Sequence, residues 1–458
     1  MQKINPMKVI DNSRMHRFHI WLIGWLFLVI LFDGYDVVIY GASVPLLIQE
    51  WGISDVTAGA IGSYTVLGTA VGAVIFGILS DKMGRKNVIL FTTFIFSFFT
   101  MLSGFANGPT LFIICRIIAG IGLGGVMPNV IALTTEFAPK RIRTALVSFV
   151  FCGYSVGALA AALTSRSLLP VAGWEPVYWL AGIPILFIPF LIKDVPESVS
   201  FLLRKGKIEE AKKILLKIDP TLKGEIEVVR TASKEKGSPV TRLFQEKRGF
   251  STAMFWISCF SAFVLIYSMN TWLPRLMMEA GYDLSSSLLF TAVMQIGALA
   301  GTLVFSPLVD KLGFKKVLVP LFFCGAIALS LIGFTSSMLI AFVLISVIGA
   351  ASVGVQNISN AFVSQYYSAD MRSTALGSTM AFGRLGGIAA PTFIGILLTI
   401  SLQPQYNFAA IASAAVLGGF AMLFVQEKHG QHKMATEQGE QQAKNETHQS
   451  KSANVANT

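Results

Sequence analysis

The sequence predicts an all-α polytopic membrane protein with twelve transmembrane helices in two six-helix bundles. Composition is the first observation behind this. The 458 residues are 53% hydrophobic and only 13% charged, with a mean hydropathy of +0.65, whereas a soluble globular chain is typically about 25% charged. The second is that apolar runs of about 20 residues recur from end to end, each long enough to cross a hydrocarbon core of about 30 Å. The third is an internal repeat. GILSDKMGRK (77–86) answers SPLVDKLGFKK (306–316), with Asp81 opposite Asp310 and Gly84 opposite Gly313. TALVSFVFCGYSVG (144–157) answers TALGSTMAFGRLGG (374–387) at an offset of 230, which sets Tyr154 opposite Arg384.

In chain order the runs place spans at roughly 20–44, 56–79, 88–106, 109–135, 145–167 and 174–193 in the first half. Those of the second half fall at 250–273, 285–309, 317–335, 337–361, 373–400 and 406–425. The first run is too long for a cleavable leader, lacks a small-residue cleavage site and is followed at once by further spans. Residues 1–192 therefore form one bundle and 249–428 the other. Between them, 193–248 is polar, and KGKIEEAKKILLKI within it reads as a short amphipathic helix lying on the membrane surface. The tail, 429–458, is rich in Gln, Lys, Thr and Asn and is expected to be disordered and cytoplasmic.

Orientation follows from lysine and arginine, which accumulate on the cytoplasmic side. Of the 36, 32 fall in the termini, the 2–3, 4–5, 8–9 and 10–11 loops and the central segment, and only Arg166 and Arg275 fall on the opposite side. Both termini are thus expected in the cytoplasm. The net charge of +11 reflects this bias, so no nucleic-acid partner is needed to explain it. Cys115, Cys152, Cys259 and Cys324 all lie in apolar runs, where they read as small buried hydrophobes and not as a disulfide framework.

Gly84 permits a tight turn between antiparallel spans, and Asp81 can cap the next helix and pair with a cation across the bundle interface, for which Arg372 is a candidate. Arg85, Asp310 and Arg372 complete a candidate cytoplasmic gate. The glycines after Arg116 (Gly120, Gly122, Gly124, Gly125) lie within span four and read as sites of close helix approach. Gly206-Lys207 lacks the spacing of a nucleotide loop, so ATP is not the expected energy source and no cofactor is implied.

The intramembrane charges are few: Asp33, Asp36, Arg116, Arg384, and Glu136 near the cytoplasmic end of span four. Each costs roughly 2.5–3.5 kcal/mol at the bilayer centre, and a charge kept there usually lines a cavity or a proton path. A buried helix-to-helix ion pair is the plainer alternative for the arginines and for Glu136. Asp33 and Asp36 are three apart, on one helical face, near mid-depth, as is Arg384 in span eleven. Two carboxylates and a guanidinium at that depth suit an anionic substrate and a proton. All five histidines lie outside the expected spans, leaving a carboxylate to carry the proton. Tyr35, Tyr40, Tyr64, Tyr154, Phe151 and Phe382 could stack on an arene, with Tyr35 and Tyr154 favoured by position. Asn270, Gln295, Gln356 and Asn357 could orient ring substituents.

The loop GILSDKMGRK resembles the 2–3 loop signature of the major facilitator superfamily, and its degenerate second copy sits where that superfamily puts it. Together with D-G-x-D in span one, Arg116, Glu136 and G-R-L-G in span eleven, it resembles the aromatic acid:proton symporter family, over about 17–428. That family imports benzoate-type, hydroxybenzoate-type and related carboxylates in bacteria. The resemblance implies the major facilitator fold, a need for Asp33 and Asp36 in transport, support of coupling by Arg116 and Glu136, and roles for Arg372 and Arg384. Some members carry a histidine in the 8–9 loop, where this chain has Gly313-Phe314-Lys315-Lys316. P-E-S-x-x-F-L-L (196–203) is shared with sugar porters and discriminates little.

The expected protein is a monomeric, proton-driven importer of a small aromatic carboxylate in the bacterial cytoplasmic membrane, and not an enzyme. A sugar or polyol symporter would share the loop motifs but would not call for Arg384. A drug-efflux carrier would use an acidic, apolar cavity without the central arginine. A receptor would need a folded output domain, and the central segment is short and polar.

Overall fold

The computed structural model describes residues 3–219, 222, 225–226, 240–245, 247–335, 337–368, 371–400 and 403–427. The expected tail, 429–458, lies outside them, as do the side chains of Asp310 and Thr144. Among the described residues, twelve helices are long and apolar enough to span a membrane. In the first half they are Arg17–Trp51, Asp55–Met83, Arg85–Ser103, Pro109–Phe137, Ala145–Ala172 and Glu175–Asp194; in the second, Gly249–Glu279, Leu284–Val309, Phe314–Ile332, Met338–Tyr366, Thr374–Thr399 and Pro404–Phe424. The fold is all-α, as expected; among the described residues the strand pairing is Lys3–Ile4 with Glu225–Ile226.

Most helices outrun their apolar stretches. Span one has 35 residues, about 52 Å at 1.5 Å per residue, because polar flanking residues continue its hydrogen bonding past the hydrophobic run. It takes in His19, which the sequence placed outside the spans; the ring is buried and its Nδ1 lies 2.8 Å from His16 Nδ1. Two spans depart from a plain α-helix. Span six breaks at Ala181-Gly182, between Glu175–Leu180 and Ile183–Asp194. Span ten passes through a π-helical turn, Ala350–Gly354, between Met338–Gly349 and Val355–Tyr366.

The ends of the spans follow turn chemistry. Gly84 and Gly313 have φ of +93° and +87°, a left-handed conformation that only glycine adopts cheaply, at matched positions of the repeat. Asp283 caps span eight by accepting the Ser286 N–H at 3.2 Å, and these hydrogen bonds hold its carboxyl below the usual carboxylate range.

In the first half, span one packs on span five and span four on spans two and three; in the second, span seven packs on eleven and twelve, nine on twelve, and eight on ten. The halves meet where two faces eleven, five faces eight and one faces seven. Both described ends of the chain and the described parts of the central segment lie at one end of the spans, here called the basic end. The amphipathic helix Ile208–Ile218 does not spend its apolar face on lipid. Ala211, Leu215 and Ile218 are buried in one cluster with Ile10, Val199 and Leu202, and His16 Nε2 lies 2.7 Å from the Ile218 carbonyl. The N-terminal helix Pro6–Asp11 covers it instead. Among the described residues the four cysteines are free, with Cys115 and Cys259 buried, Cys152 partly so, and Cys324 exposed and not buried as expected.

Candidate functional site

Backbone contacts aim the span-one charges. A Cβ on Gly34 would sit 2.0 Å from the Tyr154 carbonyl oxygen, and one on Gly157 1.7 Å from that of Leu31. Spans one and five are thus in backbone contact, and this fixes the rotation of span one. Asp33 then faces the central cavity between the bundles. Asp36, turned further, points into the first bundle. There Arg116 Nη1 and Nη2 donate to its Oδ1 and Oδ2 at 2.6 and 2.9 Å, and Thr100 Oγ1 donates to Oδ1 at 2.5 Å. Both side chains of the pair are 1% exposed, and the guanidinium carbon lies 5.9 Å from the Tyr40 ring centroid. The two aspartates, expected on one helical face, thus point different ways: three residues are 300° of helical turn, and the remaining 60° separates a cavity carboxylate from a buried ion pair.

The span-four glycines do what a lipid-embedded glycine run suggests. A Cβ on Gly120 would meet the Thr65 carbonyl at 2.3 Å and one on Gly124 that of Thr69 at 2.2 Å. This seats Arg116 deep between spans.

The cavity is lined from both halves. Asp33, Arg116, Phe151 and Tyr154 come from the first, and Tyr267, Gln356, Asn357, Asn360 and Arg384 from the second. Arg384 Nη1 donates to the Thr69 carbonyl across the bundle interface. Asp33 forms no ion pair among the described residues, so its carboxylate and the Arg384 guanidinium, held at one nitrogen by Thr69, line the same cavity without a direct ion pair. Tyr154 and Arg384, opposed by the repeat, do face one cavity.

Several expected residues lie elsewhere. Tyr35 Oη donates to the Val177 carbonyl at 3.1 Å within the first bundle. Asn270 Oδ1 accepts from Gln295 Nε2 at 2.9 Å, both buried away from the cavity lining. Tyr64 is 42% exposed and Phe382 stacks on Trp256. Of the aromatic candidates, Tyr40, Phe151 and Tyr154 remain on the cavity, joined by Tyr267 and Phe263, which nothing in the sequence singles out among 35 Phe and 10 Tyr.

Glu136 is not on the cavity either. Its Oε2 accepts from Arg85 Nη1 at 2.7 Å and its Oε1 from the Ser200 N–H at 2.8 Å. Glu197, passed over in the sequence, stands beside it. Glu197 Oε1 accepts the N–H groups of Arg85, Lys86 and Ser198 at 2.8, 3.2 and 2.7 Å, at the N-terminus of span three, where a carboxylate is favoured. Its Oε2 lies where a Cβ on Gly84 would need to be, 2.2 Å away. Its signal in the sequence is the P-E-S stretch (196–198), which sugar porters share. Asp81 is 3.7 Å from Arg204, and both are well exposed; Arg204, and not Arg372, is its nearest cation, and Arg372 is exposed.

Contacts between the bundles concentrate at the end opposite the basic one. Ser63 and Thr392 hydroxyls are 2.7 Å apart, Arg166 Nε donates to Ser285 Oγ at 3.1 Å, and Arg275 Nε is 3.6 Å from Asp55 Oδ1. Glycines meet carbonyls there too: Gly41 against Asn270, Gly59 against Pro391 and Gly395 against Asp55. Of these links, the one between Arg384 and the Thr69 carbonyl lies nearest the basic end. The contacts at the far end seal the cavity there.

The profile of the Major Facilitator Superfamily matches residues 26–391 and 287–453. The benzoate transport protein of Acinetobacter baylyi is 40% identical over 436 residues, covering 93% of this chain and 94% of that protein. The gentisate transporter of Corynebacterium glutamicum is 32% identical over 405 residues, covering 88% and 86%. Among solved structures, a D-xylose-proton symporter superposes with a TM-score of 0.72 at 20% identity, covering 90% of this chain and 97% of that one. The xylose transporter XylE of E. coli, in a partially occluded inward open conformation, gives 0.69 at 22%, covering 91% and 100%. Twelve apolar helices, matched halves and a cavity between them agree with these likenesses: the chain is a membrane transporter and belongs to the Major Facilitator Superfamily.

Proposed function

We propose that this chain imports a small aromatic carboxylate together with a proton by alternating access, with both termini in the cytoplasm of a bacterium, as a monomer and without a cofactor. The observation that carries the reading is the pairing of Arg384 and Asp33 across one cavity with no ion pair between them. A guanidinium fork holds a carboxylate through two parallel hydrogen bonds, and a carboxylate without a fixed partner is free to take up a proton. Asp36 is a poorer carrier, because protonating it would break a bidentate pair and leave Arg116 buried and uncompensated. The names of the benzoate and gentisate relatives agree with an aromatic acid. With the basic end in the cytoplasm, the open cavity faces inward. On this reading Asp81, Gly84, Arg85, Asp310 and Arg372 serve the cytoplasmic gate, and Arg116 and Glu136 hold helices and that gate in place.

A monoanion that moves with one proton is electroneutral, so uptake follows the pH gradient more than the voltage. The test is purified protein in liposomes, offered labelled benzoate, hydroxybenzoates, nicotinate, glucose and a lipophilic cation under an imposed pH gradient. Accumulation of an aromatic acid that collapses with a protonophore is expected. Accumulation of glucose or the cation in place of the acids would overturn the assignment.

A further inference from the structure

The π-turn in span ten has a consequence for substrate choice, and the consequence rests on the reading just given. A π-turn inserts one residue into the helical count, which rotates everything beyond it by about 100°. Here it lies directly before Gln356, Asn357 and Asn360, and it leaves Val353, Asn357 and Asn360 on the cavity as one stripe. Gly349, just ahead of the turn, has no room for a Cβ: the Met294 carbonyl oxygen would be 2.0 Å away. Span ten is thus pressed against span eight at the turn, so the rotation below it is fixed by packing.

The neighbours of the two asparagines set which way each amide faces. Thr302 Oγ1 gives its one hydrogen to the Ala298 carbonyl at 2.9 Å. Toward Asn357 it can only accept, and Asn357 Nδ2 donates to it at 3.3 Å. The Asn357 carbonyl oxygen is left for the cavity. Asn360 is turned the opposite way: its Oδ1 accepts from Gln356 Nε2 at 3.0 Å, so its Nδ2 hydrogens are left for the cavity. Gln356 is itself held against the Cys259 thiol, with Nε2 to Sγ at 3.5 Å. One turn of helix therefore presents an acceptor at Asn357 and a donor at Asn360, neither engaged among the described residues.

A hydroxyl group is a donor and an acceptor on one atom. We propose that Asn357 and Asn360 are specificity-determining residues that hold a hydroxyl on the ring of the aromatic acid, with the acid's carboxylate on Arg384. Phe151 and Met127 line the same cavity from the facing bundle and supply apolar surface for the ring. Benzoate itself fits such a site but leaves both amides to water, which costs affinity as the cavity closes and dries.

The experiment measures equilibrium binding of the three hydroxybenzoates and the three methylbenzoates to purified full-length protein. Each methyl compound is the size control for its hydroxyl partner. In the wild type, at least one hydroxyl compound should bind about tenfold tighter than its methyl partner, the value of one net hydrogen bond or slightly more. Asn357→Leu and Asn360→Leu should each bring that ratio close to one. Thr302→Val, which removes the anchor of the Asn357 amide without altering a cavity side chain, should lower it as well, and guards against a leucine variant that does not fold. A wild-type ratio of one at all three ring positions overturns the proposal while leaving the carboxylate reading intact. So does a ratio that all three variants preserve. If none of the six acids binds the wild type, the carboxylate reading itself fails, and this inference with it.

Discussion

Asp33 and Asp36 show how 60° of helical rotation divides two chemically identical groups. Asp36 is locked to Arg116 and Thr100 inside the first bundle. Removing its charge strands a buried guanidinium, which in other proteins costs about 3–5 kcal/mol. Asp36→Asn should therefore lower the thermal unfolding midpoint of the purified protein markedly. Asp33→Asn should leave that midpoint near the wild-type value yet abolish gradient-driven accumulation, while substrate counterflow across liposomes persists. The reverse pattern would exchange the two roles. Arg384 calls for a separate test. Its planar fork grips a carboxylate in a way an ammonium does not, so Arg384→Ala should remove binding of aromatic acids and Arg384→Lys should weaken it strongly in an equilibrium binding assay. Normal benzoate binding by Arg384→Ala would make the arginine a structural link to the Thr69 carbonyl and no more.

Among the elements, the turn between spans two and three is the most densely tied. Gly84 supplies a left-handed φ, and Glu197 occupies the place of its missing Cβ while capping span three. Gly84→Val should push Glu197 off the span-three N-terminus, and Glu197→Gln should weaken the same cap. Both should slow turnover in liposomes more than they weaken equilibrium binding, because the turn is remote from the cavity. A large loss of binding with normal turnover would contradict that placement. The turn also marks what was legible in the sequence. Span count, the repeat and the loop signature were readable because they rest on length, hydropathy and glycine, which act locally. Whether Glu136 faces the cavity or Arg85, whether Tyr35 faces an arene or the Val177 carbonyl, and which way span ten turns after Ala350 depend on helix rotation. Rotation is set by backbone contacts such as Gly34 on Tyr154, which join residues 120 positions apart and leave no periodic trace.

For the whole molecule, on the proposed reading, the far end is the latch that holds the cavity open toward the basic end. Arg166 and Arg275, the two basic residues on that side in the sequence, both span the bundle interface there, to Ser285 and Asp55. The double variant Arg166→Ala with Arg275→Ala should shift the population toward the opposite opening. Labelling of Ser63→Cys by an impermeant thiol reagent from the far side, in a Cys324→Ser background, should then rise several-fold over the parent carrying both arginines. Unchanged labelling would mean that the glycine contacts alone hold that end shut.

Those glycine contacts carry a consequence for the working stroke. Where Gly41, Gly59 and Gly395 rest on carbonyl oxygens of the other bundle, backbone closes on backbone, beside the few side-chain links that must let go before the faces part. The seal behaves like two flat-ground faces: tight when seated, cheap to separate, and intolerant of grit. A single methyl is grit at this scale. Gly59→Ala would place a carbon 2.4 Å from the Pro391 oxygen, closer than two such atoms can approach. The expected carrier takes substrate from the far side and cannot close behind it, so binding from that side survives while net delivery stops.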